Sequence, residues 1–283
     1  MAEAVGAEIV SVDSMQVYRS MDIGTAKPSA AERARVRHHM IDVADPGGMF
    51  TVAEFQRRGR AALDSIGAGI PLVAGGSGLH FRALVDPLRF PPTDAAVRRE
   101  IEAQTSGETV AELLAADPDA AEHVDLENPR RVVRALEVAR LTGLTPTVRA
   151  VSDEGRAVRE YRPLLEFVAV GIDAGDSLAE RVTVRLEEMI DRGLLDEVEG
   201  LRGRMGPAVQ AAVGYRQLLR VVEGEWSLDE GIGRARDATR ALARRQRTFF
   251  RRDPRIRWVE WDDDPARRLG SVRAALEEAG WTS

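Results

Sequence analysis

Short apolar, partly β-branched runs recur along the chain at Glu8–Val12, Met40–Val43, Pro71–Ala74, Phe167–Ile172 and Ile256–Trp261, and each predicts a strand. Between most of them apolar residues return at helical spacing. Thr51–Ile66 predicts a helix, Ser177–Leu201 a helix opened by an Asp176/Ser177 cap, Leu228–Arg252 a long basic helix, and Pro265–Ala279 the last. Strands alternating with helices predict an α/β fold with a parallel sheet. From about Phe90 to Tyr161 this rhythm stops. FPPTD opens that stretch as a loop-to-helix signal. Asn128-Pro129 reads as an N-cap with a first-turn proline, and Gly143 as a C-cap. The pattern therefore predicts an α/β core from residues 1–90 and 162–283, interrupted by an α-helical insertion at 91–161.

The strand AEIVSV delivers Asp13 to its C-terminal end, the edge at which parallel sheets bind ligands. A carboxylate there, followed by Ser14, Met15 and Gln16, is placed to accept a hydrogen bond from a substrate; capping a turn is the competing role. Gly75-Gly76-Ser77-Gly78 joins the strand PLVA to the helix LHFRALV. Glycines at such a junction admit close backbone approach to an anion, and an ordinary tight turn accounts for them equally. GGSGLHF is not a P-loop, since it lacks the Gly-Lys-Ser/Thr ending. Arg181 and Arg185 lie four apart on one helix face and suit a diphosphate, or else pair with Glu180, Glu187 or Glu188. Arg130, Arg131 and Arg134 open a helix of the insertion. TRALARRQRTFFRRDPRIR holds eight arginines between Arg240 and Arg257 against one acid, Asp253. Dense arginine suits contacts to nucleic-acid phosphates. Val213–Gln217 sets a glycine, an aromatic and an arginine at a loop-to-helix junction. That arrangement suits contact with a base, and capping and core packing explain it nearly as well.

Composition changes this picture in two places. A net charge of −6 seems to oppose nucleic-acid binding, but binding follows the local field. Lys27 is the one lysine among 40 basic residues, so no second lysine exists to serve a phosphate loop. Zero cysteines exclude disulfides and thiolate metal sites, four histidines make a histidine-rich metal site unexpected, and no apolar run is long enough to span a membrane. A cytoplasmic protein with no membrane association is expected.

Taken together, DSMQVYRSMDIGTAKP, HHMIDVADP, PLVAGGSGLHFRAL, ENPRRVVRALEVARLTG, ERVTVRLEEMIDRGLLDEV, AVGYRQL and TRALARRQRTFFRRDP span essentially the whole chain. In order and spacing they closely resemble the tRNA dimethylallyltransferases, also called tRNA isopentenyltransferases. The resemblance implies a P-loop-kinase-like α/β core with a helical insertion that grips the anticodon stem-loop. It implies transfer of a dimethylallyl group from dimethylallyl diphosphate to N6 of the adenosine 3′ to the anticodon, with diphosphate released and Mg²⁺ assisting. No ATP hydrolysis is needed. By motif, Asp13 is the general base, and Asp13, Ser14, Met15 and Gln16 contact the flipped adenosine. Ser77 (usually threonine in the family) and Arg98 lie beside the tRNA. Arg130, Arg131, Val132, Val133 and Arg134, with Gly214, Tyr215 and Arg216, match tRNA-contacting stretches. Arg185, with Arg181 on the same face, matches the diphosphate site. The working protein is expected to be a monomer; no metal ligand is implied by any motif.

The sequence departs from the family at its start. A strand, a phosphate loop and a helix normally precede the Asp13 strand, and here only MAEAVG does. The first strand and phosphate loop are therefore expected to be missing, with a true start upstream, and the 283-residue chain as written is expected to be poorly stable or inactive. Ser20 and His80 stand where the family usually has glycine and tyrosine; neither is expected to touch the chemistry. Two other readings compete with the enzyme: a truncated paralogue that binds tRNA without catalysis, and a small-molecule kinase on the same fold. The DSMQ block argues against the kinase.

Overall fold

The computed structural model describes residues 1–281. The chain divides into two compact units, one of residues 1–84 with the chain from 166 onward, the other of residues 85–165. The helical unit is thus a few residues wider at each end than the stretch in which the sequence pattern loses its strands.

The first part of the α/β unit runs α1 (Ala2–Val5), β1 (Ala7–Ser11), α2 (Ala30–Arg35), β2 (His38–His39), α3 (Val52–Ile66), β3 (Ile70–Ala74) and α4 (Gly78–Val85). β1 lies between β2 and β3 and is parallel to both, with Ile9 opposite His38 and Ala7 to Ser11 opposite Ile70 to Ala74. Its Val10, and Val12 just beyond it, are buried, which holds this strand in the core. Helix α3 starts where predicted because the Thr51 hydroxyl accepts the Glu54 N–H, and it buries Phe55 and Gly59. A Cβ on Gly59 would stand 2.4 Å from the Leu84 side chain of α4, so a larger residue there would force Leu84 to move. The strand expected at Met40–Val43 is not formed. The pairing stops at His39, and Met40 (φ 65°) and Asp42 (φ 57°) turn into the left-handed region, which cannot extend a ladder. Asp42 is held there by Lys27 at 2.6 Å and Arg33 at 2.6 Å.

The helical unit contains α5 (Ala95–Glu102), α6 (Ser106–Ala116), α7 (Pro129–Thr142), α8 (Pro146–Val151) and α9 (Asp153–Arg159). Asp94 caps α5 by accepting from Ala96 and Val97, and Thr105 with Glu108 forms a capping box on α6. Ile101, Leu113, Ala120, Val132, Ala135 and Leu136 form its core. Gly143 ends α7 at φ 73°, as expected of a C-cap, whereas the Asn128 side chain makes no cap bond and Pro129 alone marks the start.

The chain returns to the α/β unit with β4 (Ala169–Asp173), α10 (Leu178–Asp191), α11 (Leu194–Leu201), α12 (Pro207–Gln210), α13 (Tyr215–Val222), α14 (Leu228–Phe250), β5 (Ile256–Glu260) and α15 (Pro265–Glu278). β4 and β5 pair in parallel from Ala169 opposite Ile256 to Asp173 opposite Glu260. The outer edges of β3 and β4 carry no ladder among the described residues. The single helix expected over Ser177–Leu201 is two helices. Gly193 at φ 94° breaks it, and the Ser177 hydroxyl donates to Ala174 O instead of capping. Among the described residues no helix is long and apolar enough to cross a membrane.

Candidate active site

Two hydrogen bonds carry the β1–β3 pairing past the strand ends: Val12 N–H to Ala74 O (2.8 Å) and Ser77 N–H to Val12 O (3.1 Å). They draw the loop from Gly75 to Gly78 against the residue before Asp13. Gly75 is required for this approach, since at φ 152° a Cβ would lie 2.7 Å from the Val12 carbonyl carbon and oxygen. Gln246 and Phe249 of α14 press on Gly76 and Gly78 from the other side. Asp13 Oδ1 accepts the N–H groups of Met15 (2.7 Å) and Gln16 (3.2 Å), so the turn-capping role is real. Its second oxygen has no partner among the described residues and is open to a substrate. Gln16 is occupied: its amide accepts from Ser11 Oγ and donates to Thr25 O and Ala26 O. Asp13, Gln16, Ser11, Ala74 and Gly75 line an open cavity of about 510 Å³, with Arg192 at its border.

Ser77 and His80 form a pair, Oγ to Nδ1 at 2.7 Å. Burial pushes the His80 imidazole down to about 4, with the Asp13 charge pulling the other way, so the ring is neutral at pH 7. His80 also stacks edge-on against Phe55. His80 thus meets the site indirectly: it bonds the hydroxyl of Ser77 and lies in the field of Asp13. Lys27 is buried, and its ammonium is fully used by Tyr18 O, Asp22 and Asp42.

The arginines separate into occupied and open ones. Arg181 lies 3.2 Å from the centre of the Trp261 ring, pairs with Asp263 at 3.6 Å, and shares that indole with Arg268. Neither expected partner set, diphosphate alone or the neighbouring glutamates, anticipated this stack. Arg185 is exposed and has no partner among the described residues. In the C-terminal run, Arg247 (2.8 Å) and Arg251 (2.5 Å) converge on Asp173, Arg240 donates to Ala179 O, and Arg255 pairs with the buried Asp253. Burial would raise the Asp173 carboxyl, but the bonds from Arg251 and the Gly175 N–H and the charge of Arg247 hold it below the usual range. Much of this run therefore ties α14 to β4 and α10; Arg244, Arg245 and Arg252 remain exposed and unpaired among the described residues.

In the helical unit, Arg98 and Arg134 meet on Glu137, each at 2.6 Å. The Glu137 side chain has no exposed surface and also accepts the Asp94 N–H at 3.0 Å. Arg134 reaches Pro91 O and Pro92 O as well, which closes the FPPTD loop onto α7. Arg130 is exposed, and Arg131 pairs with Asp125 at 3.6 Å. Of the two valines between Arg131 and Arg134, Val132 is buried in the core of the helical unit and Val133 is partly buried and packs on the same cluster.

In the Ala212–Gln217 segment Tyr215 and Gln217 are buried and Arg216 is exposed. Gly214 takes φ 89° and donates to Gln217 Oε1. The Tyr215 ring is buried against Gly24, and its hydroxyl donates to Glu197 Oε1 at 2.5 Å, so no ring face is open to a base. Arg216 alone of this group points to solvent. Glu137 and Glu197 escaped the sequence reading because nothing local distinguishes a buried acid on a helix from an exposed one.

A parallel α/β protein with a half-open carboxylate at a strand end and a glycine loop beside it belongs to the class that binds its ligands at the carboxyl edge of the sheet. A family model described as IPP transferase matches residues 16–253. A tRNA dimethylallyltransferase of Bifidobacterium animalis subsp. lactis is 42% identical over 260 residues, covering 89% of this chain and 73% of the relative. One from Salinispora arenicola is 43% identical over 289 residues, covering 97% and 82%. The crystal structure of the full-length tRNA isopentenylpyrophosphate transferase from Bacillus halodurans superposes with a TM-score of 0.66 at 32% identity, covering 99% of this chain and 91% of that one. The chain belongs to the IPP transferase family.

Proposed function

We propose that this protein transfers a dimethylallyl group from dimethylallyl diphosphate to N6 of the adenosine 3′ to the anticodon of tRNA. The observation that carries the proposal is Asp13: one carboxylate oxygen is fixed by the N–H groups of Met15 and Gln16 and the other is open, in a chain 42% identical to a tRNA dimethylallyltransferase. The adenine amine attacks the allylic carbon of the donor. The new C–N bond forms as the C–O bond to diphosphate breaks, the electron pair leaves with diphosphate, and the amine proton passes to the open Asp13 oxygen. A base positioned in this way contributes about 10²–10⁴-fold. The reacting base leaves its stack to reach the site. Ser77, held by His80, sits on the same edge to contact it.

Arg185 is the open cation for the diphosphate, with Arg181 drawn back onto Trp261. A magnesium ion, when bound, offsets charge on the leaving diphosphate. Among the described residues no three His, Asp or Glu side chains group to cage an ion; Mg²⁺ commonly takes substrate phosphates among its ligands, and the donor diphosphate would serve in that way. The exposed Arg130, Arg131 and Arg216, and the outer N–H groups of Arg98 and Arg134, contact the anticodon stem-loop. The parallel sheet supports a P-loop-kinase-like core, and we take the working unit to be a cytoplasmic monomer. Nothing found favours the alternative of an inactive tRNA-binding paralogue.

The test is Asp13→Ala, assayed by transfer of labelled dimethylallyl groups to an anticodon stem-loop. Transfer is expected to fall at least about 100-fold while tRNA affinity stays within about twofold, because phosphate contacts dominate affinity. Near-normal turnover would remove Asp13 as the base.

A further inference from the structure

Glu197, on α11, is saturated with donors. Its Oε2 accepts the N–H groups of Asp22 (2.8 Å) and Ile23 (2.8 Å), and its Oε1 accepts the Gly24 N–H (3.1 Å) and the Tyr215 hydroxyl (2.5 Å). Three consecutive backbone N–H groups aimed at one point form an anion-binding concavity, and here the protein fills it with its own carboxylate. Tyr215 seals the arrangement. Its ring lies so close to Gly24 that a Cβ there would stand 2.6 Å from it. The hydroxyl is held as a donor, because burial and the adjacent Glu197 both push its pKa up.

The loop pinned in this way is tied to Asp13 through Gln16. Thr25 Oγ1 donates back to Met21 O, and the carbonyls of Thr25 and Ala26 accept the Gln16 side-chain amide. Gln16 in turn accepts from Ser11 Oγ and gives its own N–H to Asp13 Oδ1. We propose that Glu197 and Tyr215 are positioning residues: through the loop of Asp22 to Ala26 and the amide of Gln16, they fix which Asp13 oxygen is capped and which faces the substrate. The proposal rests on Asp13 being the base. It replaces contact with tRNA as the reason for a tyrosine at position 215. A carboxylate held within a few tenths of an ångström is worth far more to proton transfer than one free to rotate, so the device acts on turnover and not on substrate capture.

Two measurements on the purified protein decide it. In steady-state transfer to an anticodon stem-loop, Tyr215→Phe is expected to lower kcat about threefold to tenfold, and Glu197→Ala by more than tenfold. KM for the stem-loop should stay within about twofold. A raised KM with unchanged kcat would make Tyr215 a tRNA contact and overturn the proposal. Unchanged constants with only a lowered melting temperature would reduce the pair to a structural role and overturn it as well. The second measurement is hydrogen exchange, which needs no activity. Peptides covering Met15 and Gln16 should exchange faster in Glu197→Ala than in wild type. Unchanged exchange there would break the relay whatever the catalytic result, whereas faster exchange in Glu197→Ala alongside a wild type that shows no transfer would fault the assigned function and leave the relay standing.

Discussion

Replacing Glu137 with alanine is expected to destabilise the protein by about 3 kcal/mol. Its side chain has no exposed surface and accepts three donors, Arg98 and Arg134 at 2.6 Å each and the Asp94 N–H at 3.0 Å. Removing one partner of a buried pair typically costs about 3–5 kcal/mol, because the remaining charges are left without compensation. Here the lower end applies. The two arginine side chains are 40% and 32% exposed and regain water when the acid is gone. In a chain of this size about 3 kcal/mol corresponds to roughly 6 °C in melting temperature. Glu137→Gln, which keeps an acceptor for Asp94 but turns an amide toward an arginine, should cost about half as much.

The pH dependence has a definite sign. Burial would raise the Glu137 pKa, but the bonds from Arg98, Arg134 and the Asp94 N–H outweigh it and leave the group below the usual glutamate range. A carboxyl depressed in the folded state stabilises fully above its unfolded value of about 4.3 and loses that contribution as pH falls toward its native value. Urea denaturation followed by circular dichroism, at pH 7 and pH 3.5, reads this directly. The gap between wild type and Glu137→Ala should be full at pH 7 and narrower at pH 3.5. A variant within about 0.5 kcal/mol of wild type at pH 7, the ordinary range of surface substitutions, would refute the reasoning.

Gly75→Val should cost at least about 2 kcal/mol, since it forces a branched side chain into φ 152° against the Val12 carbonyl. Denaturant unfolding measures the cost, and the loss of transfer activity should exceed it because the Asp13 turn shifts with Val12. Arg185→Ala should leave the melting temperature within about 1 °C, since the side chain has no partner among the described residues. It should also raise KM for dimethylallyl diphosphate about tenfold or more. An unchanged KM and kcat for that donor would remove Arg185 from the diphosphate site.

Hydrophobic patterning located β1, β3, β4 and β5 to within two residues, because each is an apolar run bounded by a glycine, a cap or a charged turn. It failed at β2, whose two residues are a polar histidine pair chosen by their neighbour β1 and not by their own propensity. It also ran through Gly193, which looks tolerable inside a helix until its φ of 94° is known. The Asp13 and Ser77 segments were visible as punctuation at strand ends, where backbone chemistry is local. The pairing of those segments through Val12 was not.

What the sequence determined by itself is the alternation of strands and helices, the helical interruption and the motif order, all of which depend on neighbours within a turn or two. What only the tertiary structure decided is which charges and aromatics are spent internally. Arg98 meets Glu137 across 39 positions, Tyr215 meets Glu197 across 18, and Glu197 meets Asp22 across 175. A guanidinium or a phenol has the same local sequence signature whether it faces a substrate or a buried carboxylate. The choice is made by desolvation and hydrogen-bond geometry, which exist only once distant segments have been brought together.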